Sequence, residues 1–207
     1  MQISFRSFVE RWVLPDDTVL TLRPVLPGDA ALLADMLERQ SPASMRNRFH
    51  GNVRGLTRER LAEWTNVDYR QHFAAVVTAA RAGRDTRLIV DARYFAEGDA
   101  TTVEFGVLVD ESWRRRGLGT RALGALSRAA ASAGYERLRG SVLAGNDPML
   151  AFVQRHNFCC KPDRESHGLI RAEKRVAACQ NDSREWRRAP QGAVMVSTQT
   201  QPAFAAG

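Results

Sequence analysis

The chain has 207 residues and is 44% hydrophobic, enough for one packed domain with a short appendage. It carries 30 Lys and Arg against 23 Asp and Glu, a net charge of +7 at a pI of about 10.1. The arginines are scattered without interleaved aromatics, which argues against a nucleic-acid partner, and no apolar run approaches the roughly 18 residues of a membrane span.

Residues 1–17 (MQISFRSFVERWVLPDD) are charged throughout and lack the apolar centre of a secretory signal. They read as an N-terminal extension. Cys159 and Cys160 are adjacent and Cys179 lies in a polar segment. That is no disulfide framework, so a reduced, cytoplasmic protein is expected. No cysteine–histidine spacing suits zinc, and no metal is expected.

Val19–Arg23 (VLTLR) alternates and stops at Pro24, as a strand does. Asp29 stands where an N-cap belongs, before a helix with Leu33, Met36 and Leu37 on one face. SPASMRNRFHG, from Ser41 to Gly51, is irregular or a short second helix; Thr57 caps a further helix over RERLAEW. His72–Ala80 and Arg87–Phe95 read as a hairpin about a turn with Gly83 and Asp85. Thr101–Val109 is a third consecutive strand. A helix with Leu118, Ala122, Leu126, Ala130 and Ala133 in one stripe follows and closes at Gly134. Arg137–Leu143 is the next strand. Asn146 and Pro148 start a short helix that ends at Asn157, a residue tolerant of the left-handed conformation. Phe158–Lys161 and Gly168–Lys174 close the sheet. From Ala177 the chain turns polar and small and reads as a disordered tail, with GAVMVST available as an edge strand. The domain is therefore placed at 18–176 and the tail at 177–207. The order implies an α/β (α+β) class: a central mixed, mostly antiparallel sheet of 6–7 strands flanked by about four helices.

The most informative stretch is Val103–Leu123, VEFGVLVDESWRRRGLGTRAL. An apolar strand delivers the glycine loop Arg114–Thr120 to the start of a helix. Glycines let backbone approach a ligand, and the first free helical N–H groups attract an anion. The β-meander ahead of the loop argues against a Rossmann site, and there is no Lys-Ser or Lys-Thr for a Walker loop.

Arg114-Arg115-Arg116-Gly117-Leu118-Gly119 resembles the Arg/Gln-x-x-Gly-x-Gly/Ala loop of the GNAT superfamily of acyl-CoA-dependent N-acyltransferases. The resemblance covers roughly residues 18–175. Within the superfamily, LPDDTVLTLRPVLPGDA, SPASMRNRFHG and VEFGVLVDESWRRRGLGT look closest to the acetyltransferase domain of bacterial protein-lysine acetyltransferases. The resemblance implies acetyl-CoA as cosubstrate. Its pantetheine arm would pair with backbone at Val107, Leu108 and Val109. Its pyrophosphate would rest on the loop Arg114, Arg115, Arg116, Gly117, Leu118, Gly119 and Thr120, with Arg121 beside it. Asn146 matches the family position that reaches the pantetheine.

A lysine amine has a pKa near ~10.4 and must lose its proton before attacking a thioester. Glu104 is the candidate base. Strand alternation places it with Gly106 and Leu108, opposite Val103, Phe105, Val107 and Val109. Small and apolar neighbours would raise its pKa. A backbone N–H at Val107 or Leu108 would stabilise the oxyanion. Where many family members carry a Tyr to protonate the thiolate, this chain has Phe152 and Val153; His156 or water is the alternative. The resemblance implies that Ser41 and Ser44 line the acceptor mouth, which this segment shapes in the family; a helix cap or turn is the equal alternative. Asp68 and Tyr69 are weaker candidates for contacting an amine.

Three readings remain open at this level. The first is acetyl transfer to a protein lysine. The second is transfer to a small amine or a peptide N-terminus. The third is a non-catalytic acyl-CoA-binding module. The chain is expected to act as a monomer or homodimer.

Overall fold

A computed structural model describes residues 8–50, 57–96, 98, 100–176 and the backbone of 194–195. Its order is β1 (Glu10–Val13), β2 (Val19–Pro24), α1 (Ala30–Glu38), α2 (Pro42–Phe49), α3 (Arg58–Thr65), β3 (His72–Arg81), β4 (Arg84–Ala96) and β5 (Thr102–Val109). There follow α4 (Leu118–Ala133), β6 (Arg137–Leu143), α5 (Asp147–Arg155), β7 (Cys159–Pro162), β8 (Leu169–Arg175) and β9 (Val194–Met195). The strands form one sheet in the order β7-β8-β6-β5-β4-β3-β2-β1-β9. Every pair is antiparallel except β5 with β6. The expected fold class holds, with nine strands rather than 6–7 and five helices rather than about four among the described residues.

The extra strands come from segments set aside as an extension and a tail. β1 pairs with β2 from Glu10↔Leu22 to Val13↔Val19, and Trp12 is buried against the core with Phe8. Glu10 accepts from Arg121 at 3.3 Å and Arg128 at 3.0 Å, which ties β1 to α4. The short ERWV strand has two charges in four residues, so no apolar alternation announces it. β9 pairs Val194 with Val13 and Met195 with Trp12, inside the GAVMVST stretch. The rest of the expected disordered tail lies outside the described residues.

α4 is the central brace. Its stripe of Leu118, Ala122, Leu123, Leu126 and Ala130 is buried in one core. Each fully buried large side chain such as Leu126 contributes about 1.5–3 kcal/mol. α1 and α3 cover the other face, where Leu33, Met36, Leu61, Val76 and Leu108 share a second core. β4 lies between the two, buried from Leu88 to Tyr94.

Local signals were read well at the caps. Ser41, Thr57 and Asn146 accept from the N–H groups of Ser44, Arg60 and Met149, which starts α2, α3 and α5. Asn157 adopts φ 62° as expected. Asp29 departs from expectation: its carboxylate takes the Leu26 N–H at 2.8 Å and a two-pronged bond from Arg23, so it organises the turn before α1. The hairpin turn is also tighter than expected. Arg81 faces Arg84 around Ala82 and Gly83, so Asp85 lies in β4. Arg84–Arg87 is exposed strand beyond the core and carries no hydrophobic signal.

Candidate functional site

β5 and β6 pair only from Thr102↔Arg137 to Glu104↔Arg139. Beyond Glu104 the strands separate. The next residue of β6 is Gly140, and the place its Cβ would take is occupied by the Phe105 ring, with Phe105 Cε1 only 2.7 Å away. That ring packs in turn on Phe158, at 5.1 Å between centroids. On the opposite face, the Arg48 guanidinium lies over Gly106, whose added Cβ would sit 2.6 Å from Arg48 Cζ. Two glycines on neighbouring strands thus each admit a large side chain, one on each face, where the ladder ends.

The opening is a cleft of about 1530 Å³ lined by β5, β6, the loop before α4, α5 and α2. Alternation fixes which backbone groups face it. Asp110 N–H donates to Ile89 O in β4, so the even-numbered residues of β5 are committed to β4. Val107 and Val109 therefore direct their N–H and C=O groups toward the cleft. Leu108, expected to share that role, directs its backbone to β4 and its side chain into the second core.

At the far end of the cleft lies the start of α4. Arg121 N–H makes the first helical bond, to Gly117 O at 3.2 Å. The N–H groups of Leu118, Gly119 and Thr120 come before it, and no side chain caps them. α2, α3 and α5 are capped by their N-cap side chains, whereas α1 and α4, the longest helix, are not, and of these two only α4 opens on the cleft. Gly117 adopts φ 75° and Arg115 φ 59°, both left-handed. Left-handed residues in a turn are a way of directing neighbouring N–H groups into an anion-binding concavity. These features fit a pyrophosphate, and the open backbone of Val107 and Val109 fits an amide-bearing arm that adds like a strand.

The arginines divide. Arg115 lines the cleft. Arg114 lines it too, but its side chain donates to Val109 O at 3.2 Å and to Ser44 Oγ at 2.7 Å. Arg116 does not line it: its guanidinium stacks on Trp113 at 4.7 Å and donates to Ser112 O. Arg121 turns to Glu10 and to the Trp12 ring, 4.6 Å away. So of the four side chains expected at an anion, Arg116 and Arg121 are drawn off by nearby indoles, a placement that charge counting misses.

Asn146 lines the cleft and caps α5 through its carbonyl oxygen, which leaves its amide group for a ligand. Phe152 closes on Gly119, 3.4 Å from where a Cβ would stand. Val153 is fully buried, so the helix offers no proton donor there. His156 shares a 3.0 Å hydrogen bond with Thr120 at the α4 terminus, and burial lowers its pKa.

Glu104 is half-buried in the cleft wall on the face expected. Its surroundings are not. Phe95 stands beside it on β4 and Arg139 on β6. Arg48 is close enough for their charges to attract. These are charged and aromatic neighbours, where small and apolar ones were expected. Further along the face, Phe95 stacks on His72 at 4.0 Å, and burial, helped by Arg93, holds the His72 pKa down to about 4.

The α2 side is joined to the loop by one carboxylate. Glu111 accepts from Ser44 Oγ at 2.6 Å and Ser41 N–H at 3.1 Å. Bonds from Ser41 and Ser44 hold its pKa down to about 2, with Arg114 adding to the effect. Ser44 lines the cleft as expected, whereas Ser41 serves as a cap. Asp68 accepts three backbone N–H groups of its own turn, and the Tyr69 hydroxyl donates to Val25 O. Both have structural work. Cys159 and Cys160 are ordinary residues of β7. Among the described residues no cluster of His, Cys, Asp and Glu could hold a metal, and no helix is long and apolar enough to cross a membrane.

Arg48 and Phe95 are among the cleft residues that sequence reasoning missed. SPASMRNRFHG was legible as a mouth segment, but its glycine partner lies 58 positions along the chain.

Comparisons with known proteins follow the same outline. The acetyltransferase Pat of Mycolicibacterium smegmatis is 36% identical over 135 residues, which are 65% of this chain and 39% of that protein. The GNAT domain of S. lividans PAT superposes with a TM-score of 0.70 at 22% identity, covering 82% of this chain and 98% of that one. The cAMP-binding acyltransferase from Mycobacterium smegmatis superposes with a TM-score of 0.53 at 30% identity, covering 84% of this chain and 49% of that one. The chain thus spans half or less of the two mycobacterial proteins. The family model described as Acetyltransferase (GNAT) domain matches residues 19–158, most of the chain and all of the cleft-forming strands and helices from β2 to α5, and the chain belongs to that family.

Proposed function

We propose that this chain transfers the acetyl group of acetyl-CoA to a primary amine, with a lysine side chain of a protein as acceptor and Glu104 as general base. The observation that carries the reading is the conjunction of an open β5 edge with an uncapped α4 terminus. The first suits a pantetheine arm, the second a pyrophosphate. Val107, Val109 and the Asn146 amide would hold the arm. Arg115 and the N–H groups of Gly117, Leu118, Gly119 and Thr120 would hold the diphosphate.

The chemistry follows from placement at the narrow end of the cleft. The acceptor ammonium gives a proton to Glu104, directly or through water. The freed nitrogen pair attacks the thioester carbonyl, and the N–C bond forms. The oxygen gains negative charge and accepts from the Val107 N–H. The carbonyl re-forms as the C–S bond breaks and CoA leaves as thiolate, which takes a proton from solvent. A second proton leaves the nitrogen to give the neutral amide. Arg48 lies close enough to Glu104 for their charges to attract.

Glu104→Gln tests this assignment. General-base removal lowers turnover by about 10²–10⁴-fold, while acetyl-CoA affinity stays within about twofold because no proposed CoA contact is touched. Unchanged turnover removes Glu104 from the mechanism. Label from radioactive acetyl-CoA should appear on proteins of a bacterial extract. Label confined to small molecules removes the protein acceptor.

A further inference from the structure

Arg48 is a cation with a prepared seat. Gly106 is its floor, and the Phe49 and Trp64 rings stand 5.3 and 5.9 Å from its guanidinium carbon. Its Nε is sealed from solvent without a hydrogen bond. Among the described residues no carboxylate lies within ion-pair distance of it. Asp91 is the natural partner on this face, but Arg93 takes both its oxygens, at 2.6 and 3.0 Å. Burial pushes the Arg48 pKa below the usual guanidinium range, though an arginine stays charged. A half-buried cation with no carboxylate at bonding distance, held only by the longer-range attraction of Asp91 and Glu104, is costly, and an apolar side chain in the same seat would be cheaper. The guanidinium still faces the cleft. The CoA phosphates do not explain it, since Gly106 lies three residues before the Val109 end of β5, toward Glu104.

We infer that Arg48 binds a carboxylate of the acceptor, next to the amine whose proton Glu104 removes. This rests on the acetyltransferase reading above and adds the acceptor's chemistry. Glu104 and Gly106 are two residues apart on one face, about 6–7 Å along the strand. An acceptor bearing an ammonium and a carboxylate can therefore span Glu104 and Arg48. The flat guanidinium offers a two-pronged bond to the carboxylate. Two sources share this chemistry: a free α-amino acid, and a peptide with an acidic residue beside the reacting amine. The transfer itself is unchanged: the N–C bond forms, the C–S bond breaks, and the carboxylate is not consumed.

The test measures kcat/KM of the full chain with acetyl-CoA on matched acceptors. One arm sets free lysine and glutamate against their α-amides. The other sets a lysine peptide flanked by Glu against the same peptide flanked by Gln. Wild-type protein should favour the carboxylate member by about tenfold or more in at least one arm, as expected for a charge-assisted pair. The arm that shows the preference identifies the source. Arg48→Gln should bring the ratio to within about twofold while the KM for acetyl-CoA holds. Arg48→Lys should keep part of it, because the charge survives and the fork does not. Equal rates on both members in wild type overturn the inference while leaving the acetyltransferase reading intact. So does an equal slowing of both members by Arg48→Gln. Absence of transfer to any acceptor, including a protein extract, overturns both. The wild-type ratio decides the matter even where a variant fails to fold.

Discussion

Asp91→Asn should be among the most damaging single substitutions beside the site. Asp91 and Arg93 are 1% and 0% exposed at the side chain, joined at 2.6 Å. Arg93 also donates to Trp64 O at 3.0 Å and lies 4.2 Å over that indole. The asparagine keeps the shape but removes the negative charge. The buried Arg93 and the half-buried Arg48 guanidinium groups then share one face, and their repulsion already opposes protonation of Arg48. Leaving a buried charge unpaired costs about 3–5 kcal/mol. In a domain of this size each kcal/mol moves the midpoint by about 2–4 °C, so thermal unfolding should fall by roughly 6–20 °C. Circular dichroism melts and urea titration measure it. The double variant Asp91→Leu/Arg93→Met removes both charges and should recover most of the loss. A loss under about 1 kcal/mol for Asp91→Asn, or a double variant no better than the single, refutes the account of a charge-balanced face.

Two further outcomes follow from the same geometry. The His72 pKa is lowered from the ordinary 6.5 to about 4, by burial first and Arg93 next, so between these values the unfolded chain binds a proton that the folded protein does not. Stability is therefore lost as pH falls from 6.5 toward 4. His72→Gln should flatten urea midpoints across that window, and an unchanged slope rejects His72 as its source. Gly119→Val places a branched side chain against Phe152 and Val109, where a Cβ alone would already be 3.4 and 3.7 Å from them. Its methyls should crowd the α4 terminus and weaken acetyl-CoA binding by about tenfold or more, the equivalent of one or two lost N–H contacts. Calorimetry showing wild-type affinity would mean the anion does not sit there.

What was legible in the chain was what short range decides. The RRRGLGT loop, the stripe of α4 and the caps at Ser41, Thr57 and Asn146 each depend on residues a few positions apart. The face of Glu104 followed from alternation within one strand. What was missed depends on partners far away in sequence. β1 could not be read because four residues carry too little pattern, and its stability comes from Leu20, Leu22 and α4. Arg116 and Arg121 were assigned to the anion by proximity in sequence, while Trp113 and Trp12 hold their side chains elsewhere. Glu104 was expected among apolar neighbours because Gly106 and Leu108 flank it on its own strand. Its real surroundings come from β4, β6 and α2.

The same distinction explains how one sheet can hold two kinds of site. Antiparallel sheets normally spend all their inner backbone groups on one another. Here the β5 edge is left open where Phe105 occupies the space over Gly140, and Val107 and Val109 gain a free edge two and four residues later. The donors that would be costly if buried unpaired instead face a cleft that a strand-like arm can fill. On the reverse face, Gly106 lets Arg48 lie flat, so the charge beside Glu104 is set by a helix from a different part of the chain. On the proposed reading, cofactor binding would depend on backbone that any apolar sequence could supply, whereas acceptor choice would depend on side chains of α2 and β4. Relatives that share the loop can therefore share acetyl-CoA and differ in acceptor. Exchanging the α2 segment between two such relatives should move acceptor preference while acetyl-CoA affinity stays with the β5–α4 unit.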